Sequence, residues 1–293
     1  MTPPVEELIR LACQAEVLAR KPGSVHPGAA FDDLTAADFL TAAEAVAPIL
    51  ARAAELGIGR AVYEAVVATR QRVATNANLG ICLLIAPCAA AITAGGDLRA
   101  SLRRVLDSLS VDDARWAYRA IRAAAPGGLG QAGEQDVADE PTVTLLEAMR
   151  MAADRDGVAR QYATGFEDVF DIALPAIREF AGQGIETAIV GAHLRLMSAR
   201  PDTLIARKCG VEVACESAGR AKAVLDAGWP ANGPAELERL DEWLRADGHR
   251  RNPGTTADLV AVTILVALWT GGIERGAVVS WSRESAGSDW AGR

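Results

Sequence analysis

Apolar residues in this chain recur at intervals of three and four, and no stretch sustains an interval of two. Val5, Leu8, Leu11, Ala12, Ala15 and Leu18 form one such stripe behind Pro3-Pro4. A helix tolerates that start, because its first N–H groups have no intrahelical partner to lose. Thr35, with Asp38 three positions on, resembles a capping arrangement before a helix predicted over Phe39–Leu56. The same spacing predicts helices near 58–73, 78–94, 98–108, 111–124, 143–157, 166–181, 185–199, 211–227, 234–246 and 256–270. Gly57, Gly95-Gly96, Gly182, Gly228 and Gly271-Gly272 stand where such helices stop. Without period-two runs of β-branched and aromatic residues a sizeable sheet has nothing to form from. The reading is all-α: a multi-helix bundle without a significant sheet.

Half of the 293 residues are hydrophobic and 23% are charged, a balance that can bury a full core. No repeat divides the chain, so one domain over 1–293 is expected, with 281–293 as a flexible tail. The formal charge is −8 and the pI about 5.1. That balance excludes a general binder of nucleic acid or anionic membrane, which needs clustered cations. Leu79–Ile92 and Leu259–Thr270 are uncharged but shorter than the roughly 20 residues that span a bilayer, and Pro87 interrupts the first. They read as helices buried on nearly every side. The N-terminus lacks the basic and apolar segments of a signal peptide. Five cysteines without a C-x-x-C pair or a neighbouring His argue against a zinc site and for reduced thiols in the cytoplasm.

Ala125–Pro141 has no apolar periodicity, and a connection of that length is a binding loop or a flexible joint. Four other runs concentrate polar residues beside glycine or proline. Arg20-Lys21-Pro22-Gly23-Ser24-Val25-His26-Pro27-Gly28, with Asp32-Asp33 beyond, offers a cation and backbone N–H groups to a phosphate. As a plain helix stop it would leave Lys21 solvated. Thr75-Asn76-Ala77-Asn78-Leu79-Gly80 opens the most apolar helix; its polar side chains suit capping, or hydrogen bonds to a ribose or base edge. Pro201 to Gly210 sets Asp202 and Thr203 one to two turns from Arg207 and Lys208, a spacing also common in exposed ion pairs. Asn252-Pro253-Gly254-Thr255-Thr256-Ala257-Asp258-Leu259 puts Asp258 in the first turn of an apolar helix. An acid there suits the helix dipole, or Mg²⁺ held jointly with substrate phosphates. Only three of the 30 cationic residues are lysines, and two of them, Lys21 and Lys208, fall in these runs.

Taken in order, the runs resemble the triphosphoribosyl-dephospho-CoA synthase family, which makes the prosthetic group of citrate lyase and malonate decarboxylase acyl carriers. Its E-V…K-P-G pattern is similar to Glu16-Val17-Leu18-Ala19-Arg20-Lys21-Pro22-Gly23, and its N-T-H-K-G to Asn76-Ala77-Asn78-Leu79-Gly80. G-F-x-x-V…L-P resembles Gly165-Phe166-Glu167-Asp168-Val169 with Leu174-Pro175. D-T-x-x-x-x-R-G-G resembles Asp202-Thr203 through Lys208-Cys209-Gly210, and P-G-G-S-A-D-L-L resembles Pro253 to Val260. The likeness covers about 10–270. The chain departs from it where Asn78 and Leu79 replace a His and a Lys, and where Lys208 stands for an Arg beside Arg207.

The resemblance implies a transferase that takes ATP, expels adenine from C1 of the ribose, and joins the triphosphoribosyl group to the 2′-hydroxyl of dephospho-CoA. Cleaving an N-glycosidic bond builds positive charge on the sugar, so Asp33, Asp202 and Asp258 are the catalytic candidates. Asp202 and Asp258 are also the Mg²⁺ candidates. Lys21, Gly23, Asn76, Asn78, Gly80, Thr203, Arg207, Lys208 and Gly254 would bind the nucleotide. On this reading Lys21, Asp33, Asn76, Asp202, Lys208 and Asp258 meet in one pocket. Partners would be small nucleotide and coenzyme substrates, with a homo-oligomer left open. Two alternatives remain at this point: an ATP-dependent transferase for a one-carbon pterin coenzyme precursor, and a non-catalytic nucleotide-binding homologue.

Overall fold

The computed structural model describes residues 3–73, 78–124 and 137–286. Asn76 and most of the 125–141 connection lie outside them. Among the described residues there are helices and two isolated bridges, His26 with Ala29 and Phe31 with Leu34, and no sheet. The all-α expectation holds. The chain divides into two compact units, Met1–Cys13 with Asp38–Glu167, and Gln14–Ala37 with Asp168–Arg293.

Helix α1 (Val5–Leu18) starts in the first unit and ends in the second. The first unit continues with α2 (Ala36–Leu50), α3 (Ala53–Leu56), α4 (Ile58–Arg70), α5 (Leu79–Ala94), α6 (Leu98–Asp107), α7 (Val111–Ala124), α8 (Leu145–Ala152) and α9 (Gly157–Thr164). Its centre is α5, buried on all sides from Ile81 to Ile92. Pro87 has no N–H, so the Leu83 carbonyl four residues earlier loses its helical donor. The Tyr162 hydroxyl donates to that carbonyl at 2.6 Å, which lets the helix run through proline in an apolar interior. Among the described residues no single helix is long and apolar enough to cross a membrane.

The second unit follows with a π-helical turn (Asp168–Ala173), α10 (Leu174–Phe180), α11 (Ile185–Ala199), α12 (Thr203–Cys209), α13 (Val211–Asp226), α14 (Pro234–Arg245), α15 (Gly254–Thr270) and α16 (Arg275–Ala286). Buried α15 packs against α10, α11 and α12, while α13 lies between α11 and α14. Val190, Leu194, Met197, Ile205, Ala221 and Leu244 form the core that joins α11 to α14.

Sequence periodicity misplaced several boundaries. The helix over Phe39–Leu56 breaks at the Ala51-Arg52 turn, and the one over 166–181 begins as a π turn just before Pro175. Helices α9, α12 and α16 were not read at all. The first two are short, and each starts on an aspartate cap, Asp156 or Asp202, whose side chain accepts from the first turn.

Close helix contact in the second unit depends on Gly191, where an added Cβ would sit 2.3 Å from the Phe180 ring. Gly191→Ala is expected to destabilise the protein by about 1–3 kcal/mol through overpacking. Gly182→Ala, with nothing within 4 Å, should be close to neutral. Urea unfolding of the two variants checks this.

Candidate active site

The loop after α1 is fixed by side chains of α14. Gly23 donates its N–H to Asp241 Oδ1 at 2.7 Å, and Arg245 pairs with Asp241 at 2.9 Å while donating to the Ser24 carbonyl. Gly23 has φ +73°, and a Cβ there would meet Leu244 at 2.8 Å and Pro253 at 2.9 Å. Glycine is required on both counts.

Lys21 is fully buried, so the plain helix-stop reading with a solvated lysine fails. Its Nζ lies 3.0 Å from Glu16 Oε1 and donates to the carbonyls of Glu16 and Ala19. An ammonium has three N–H donors, and all three are spoken for inside the protein. Glu16 is buried too, and the pair satisfies carbonyls that would otherwise be orphaned at the end of α1. Lys21 therefore braces the loop instead of presenting its charge outward.

Beside it lies His193 of α11, fully buried, with neither ring nitrogen in a hydrogen bond to a described residue. Burial, and then the Lys21 ammonium, push its pKa down to about 3; the Pro22 carbonyl pulls the other way without reaching hydrogen-bond geometry. Nothing in the helical pattern of α11 marked this residue.

Asp202 has a role different from the expected base or metal ligand. Its Oδ1 accepts from the N–H groups of Leu204 and Ile205, at 2.8 and 3.1 Å. Its Oδ2 accepts from the N–H and the hydroxyl of Thr256, at 2.7 and 2.8 Å. A carboxylate offers about four lone-pair positions, and here all are filled. Burial pushes this carboxyl up and the Thr256, Ile205 and Leu204 donors pull it down. One side chain thus caps α12 and clasps the first turn of α15. The Thr203 and Thr255 hydroxyls, 3.1 Å apart, close the same joint, and Gly254 lets Leu204 approach to 2.6 Å of a would-be Cβ.

Lys208, at the end of α12, is half-buried, and among the described residues its ammonium has no hydrogen-bond or ion-pair partner. Burial and then Arg207 lower its pKa, while Asp33 and Asp202 raise it. Two adjacent cations, one of them without an anion, make a site that an anion would relieve. Its backbone carbonyl accepts from Arg250 at 3.2 Å. Arg250 in turn lines a cavity of about 430 Å³ with Phe31, Asp33, Arg245 and His249. Asp33 approaches His249 Nδ1 to 3.2 Å.

Of the expected convergent set, Asp33 and Asp202 both act electrostatically on Lys208, whereas Lys21 faces Glu16 and His193. Asp258 is half-buried and lies just past the first turn of α15, which starts at Gly254 and holds no acid. Asn78 and Gly80 belong to the first unit, where Asn78 stands at the α5 cap position without a side-chain capping bond. No group of three or more His, Cys, Asp or Glu side chains suited to a metal ion occurs among the described residues. The Asp202–Asp258 pair does not fit a metal either, because the Asp202 lone pairs are occupied. Sequence reasoning missed His249, Arg245 and Arg250. The run His249-Arg250-Arg251 directly before Asn252-Pro253-Gly254 was the available signal.

Fold and site define an all-helical protein whose second unit pairs an internally braced lysine with a polar cavity bordered by arginines. The chain belongs to the ATP:dephospho-CoA triphosphoribosyl transferase family (CitG), whose model matches residues 3–275. It is 33% identical over 114 residues to the "Probable 2-(5''-triphosphoribosyl)-3'-dephosphocoenzyme-A synthase" of Pseudomonas savastanoi pv. phaseolicola, and 34% identical over 115 residues to the protein of that name from Stutzerimonas stutzeri. Each match spans 38% of this chain, and 38% and 39% of the two relatives. A solved structure from Archaeoglobus fulgidus that carries the triphosphoribosyl-dephospho-CoA synthase name superposes with a TM-score of 0.64 at 28% identity, over 79% of this chain and 99% of that one.

Two measurements probe the buried groups. Lys21→Ala should cost about 3–5 kcal/mol by stranding the Glu16 charge, and combining Lys21→Met with Glu16→Leu should recover a large part of it. Urea unfolding reads both. The second concerns pH. An unfolded histidine takes up a proton near its ordinary pKa of about 6.5, whereas folded His193 resists until about 3. Its contribution is therefore complete above about 6.5 and is lost as pH falls through that window, by up to about 1.4 kcal/mol per pH unit. Between pH 6.5 and 4, His193→Leu should lose stability less steeply than wild type.

Proposed function

We propose that the protein transfers the 5-triphosphoribosyl group of ATP to the 2′-hydroxyl of dephospho-CoA, releasing adenine. The observation that carries this reading is the half-buried Lys208 ammonium, unpartnered among the described residues and set beside Arg207, in a chain that matches the transferase family over 3–275. A cation so placed is suited to a phosphate oxygen, and Arg207 and Arg250 would extend the contact along a polyphosphate. Asp33 lines the cavity, so a carboxylate charge borders the space in which the glycosidic bond would break. Lys21, Gly23, Thr203 and Gly254 serve this site through the backbone they position.

Mg²⁺ would arrive on the triphosphate, with Asp258 the remaining carboxylate of the expected pair. None of the five cysteines is in a disulfide, in keeping with a cytoplasmic enzyme. Neither the pterin-precursor acceptor nor the non-catalytic reading gains an observation from the site.

Incubation with ATP, Mg²⁺ and dephospho-CoA should yield free adenine and a product heavier by a triphosphoribosyl group, both read by mass spectrometry. Lys208→Ala should raise the KM for ATP by about 10- to 100-fold, the worth of a charge-assisted hydrogen bond. Lys222→Ala removes an exposed lysine paired with Asp226 at 2.6 Å and should leave KM unchanged. An unchanged KM in Lys208→Ala would remove the phosphate contact from the proposal.

A further inference from the structure

The transfer needs a group that removes a proton from the acceptor hydroxyl, and none of the family-like runs supplies an obvious one. Asp202 is used up by capping and Lys21 by Glu16. The turn between α14 and α15, which no run covers, places His249 in the cavity of about 430 Å³. That volume is within the range of small-ligand sites, roughly 300–1,000 Å³.

Three contacts set the imidazole. Asp33 Oδ1 lies 3.2 Å from Nδ1, so the proton-bearing nitrogen faces the carboxylate. The Phe31 ring meets the imidazole edge to face, at 5.5 Å between centroids and 80° between planes. Arg245, itself fixed by Asp241 and the Ser24 carbonyl, lies over Phe31 at 5.7 Å and holds that ring in place. Nε2 is left without a partner among the described residues. Asp33 also acts electrostatically on Lys208, and Arg250 joins the cavity to the Lys208 backbone. The carboxylate–imidazole pair thus borders one space with Arg245 and Arg250, and Lys208 lies within reach of the Asp33 charge.

We propose that His249, oriented by Asp33, is the general base that takes the proton of the acceptor hydroxyl in this cavity. The proposal rests on the transferase reading above. The acceptor oxygen forms a bond to C1 of the ribose as the C1–N9 bond of ATP breaks. The bonding pair leaves with adenine N9. The hydroxyl proton passes to His249 Nε2, and adenine acquires its proton from solvent, so that the imidazolium returns its own to water. Asp33 does not touch the reacting atoms on this view. It is a positioning residue that fixes the tautomer and stabilises the imidazolium.

The test is transfer kinetics of the full chain with ATP, Mg²⁺ and dephospho-CoA, monitored as free adenine. His249→Ala should lower kcat by about 10²- to 10³-fold, the scale of general-base catalysis, with the KM for ATP held within about twofold. Imidazole in the buffer should restore at least about tenfold of the lost kcat, because the cavity is open and the histidine half-exposed. A purely structural histidine would give no such rescue. Asp33→Asn, at an exposed position, should lower kcat by about tenfold or more at unchanged KM, and it decides the matter if His249→Ala loses its helical circular dichroism. Turnover near wild type in either folded variant overturns the proposal, as does a loss that imidazole leaves untouched. If wild type itself releases no adenine, the transferase reading fails and the base falls with it. If wild type is active and the variants are too, only the base fails.

Discussion

The second unit depends on one buried carboxylate shared between two helix starts. Helix N-termini present N–H groups that nothing inside the helix can satisfy, and burying them unsatisfied costs about 1–3 kcal/mol each. Asp202 answers for Leu204 and Ile205 on α12 and for Thr256 on α15 with a single side chain. The two helices cannot then move apart without exposing both sets of donors. That fixes where the end of α12 lies, and with it Arg207 and Lys208. It also fixes Pro253, against which Gly23 packs. The loop after α1, the cationic end of α12 and the start of α15 are joined through this one residue and the glycines that let the backbones approach.

Much of this was legible in the sequence, though not the division of labour. The three-four periodicity predicted an all-helical chain because buried helices need an apolar stripe whatever their neighbours. It could not predict α12, whose seven residues carry too little pattern. It also could not show the break in the helix over Phe39–Leu56, where the apolar spacing runs on without a glycine. At the site, the glycine and proline runs pointed to the right segments, since backbone constraints leave a local trace. The roles of the charged residues left none. Lys21 and Lys208 look alike in sequence, each beside a second cation and a glycine. Only folding separates a lysine whose three donors are consumed by Glu16 and two carbonyls from one whose ammonium meets no anion among the described residues.

The departures from the family pattern take on a physical meaning in this light. Asn78 and Leu79 stand in the first unit where the family shows a His and a Lys. If chemistry needed a histidine from that run, the chain would lack it. The second unit contains three histidines of very different standing: His193 is held neutral by burial, His26 accepts from Gly28 N–H and is pushed toward the neutral form by burial and Arg245, and His249 is open to the cavity. Of these, only His249 combines access, an orienting carboxylate and a nitrogen left over.

The buried and the exposed polar groups therefore answer different needs. A buried charge is tolerable only when its partners are fixed, so Lys21, Glu16 and Asp202 can hold geometry but can change neither partner nor protonation cheaply. A group that must receive a proton and return it has to keep contact with solvent or substrate, at the cost of stability it does not contribute. Asp33 and His249 fit that second description and sit outside the densest packing, on a loop and a turn that the braced residues hold still. The rigid frame is built from the residues that resemble a family motif. The chemistry, on this argument, falls to a histidine between motifs, which the frame places and sequence pattern alone does not mark.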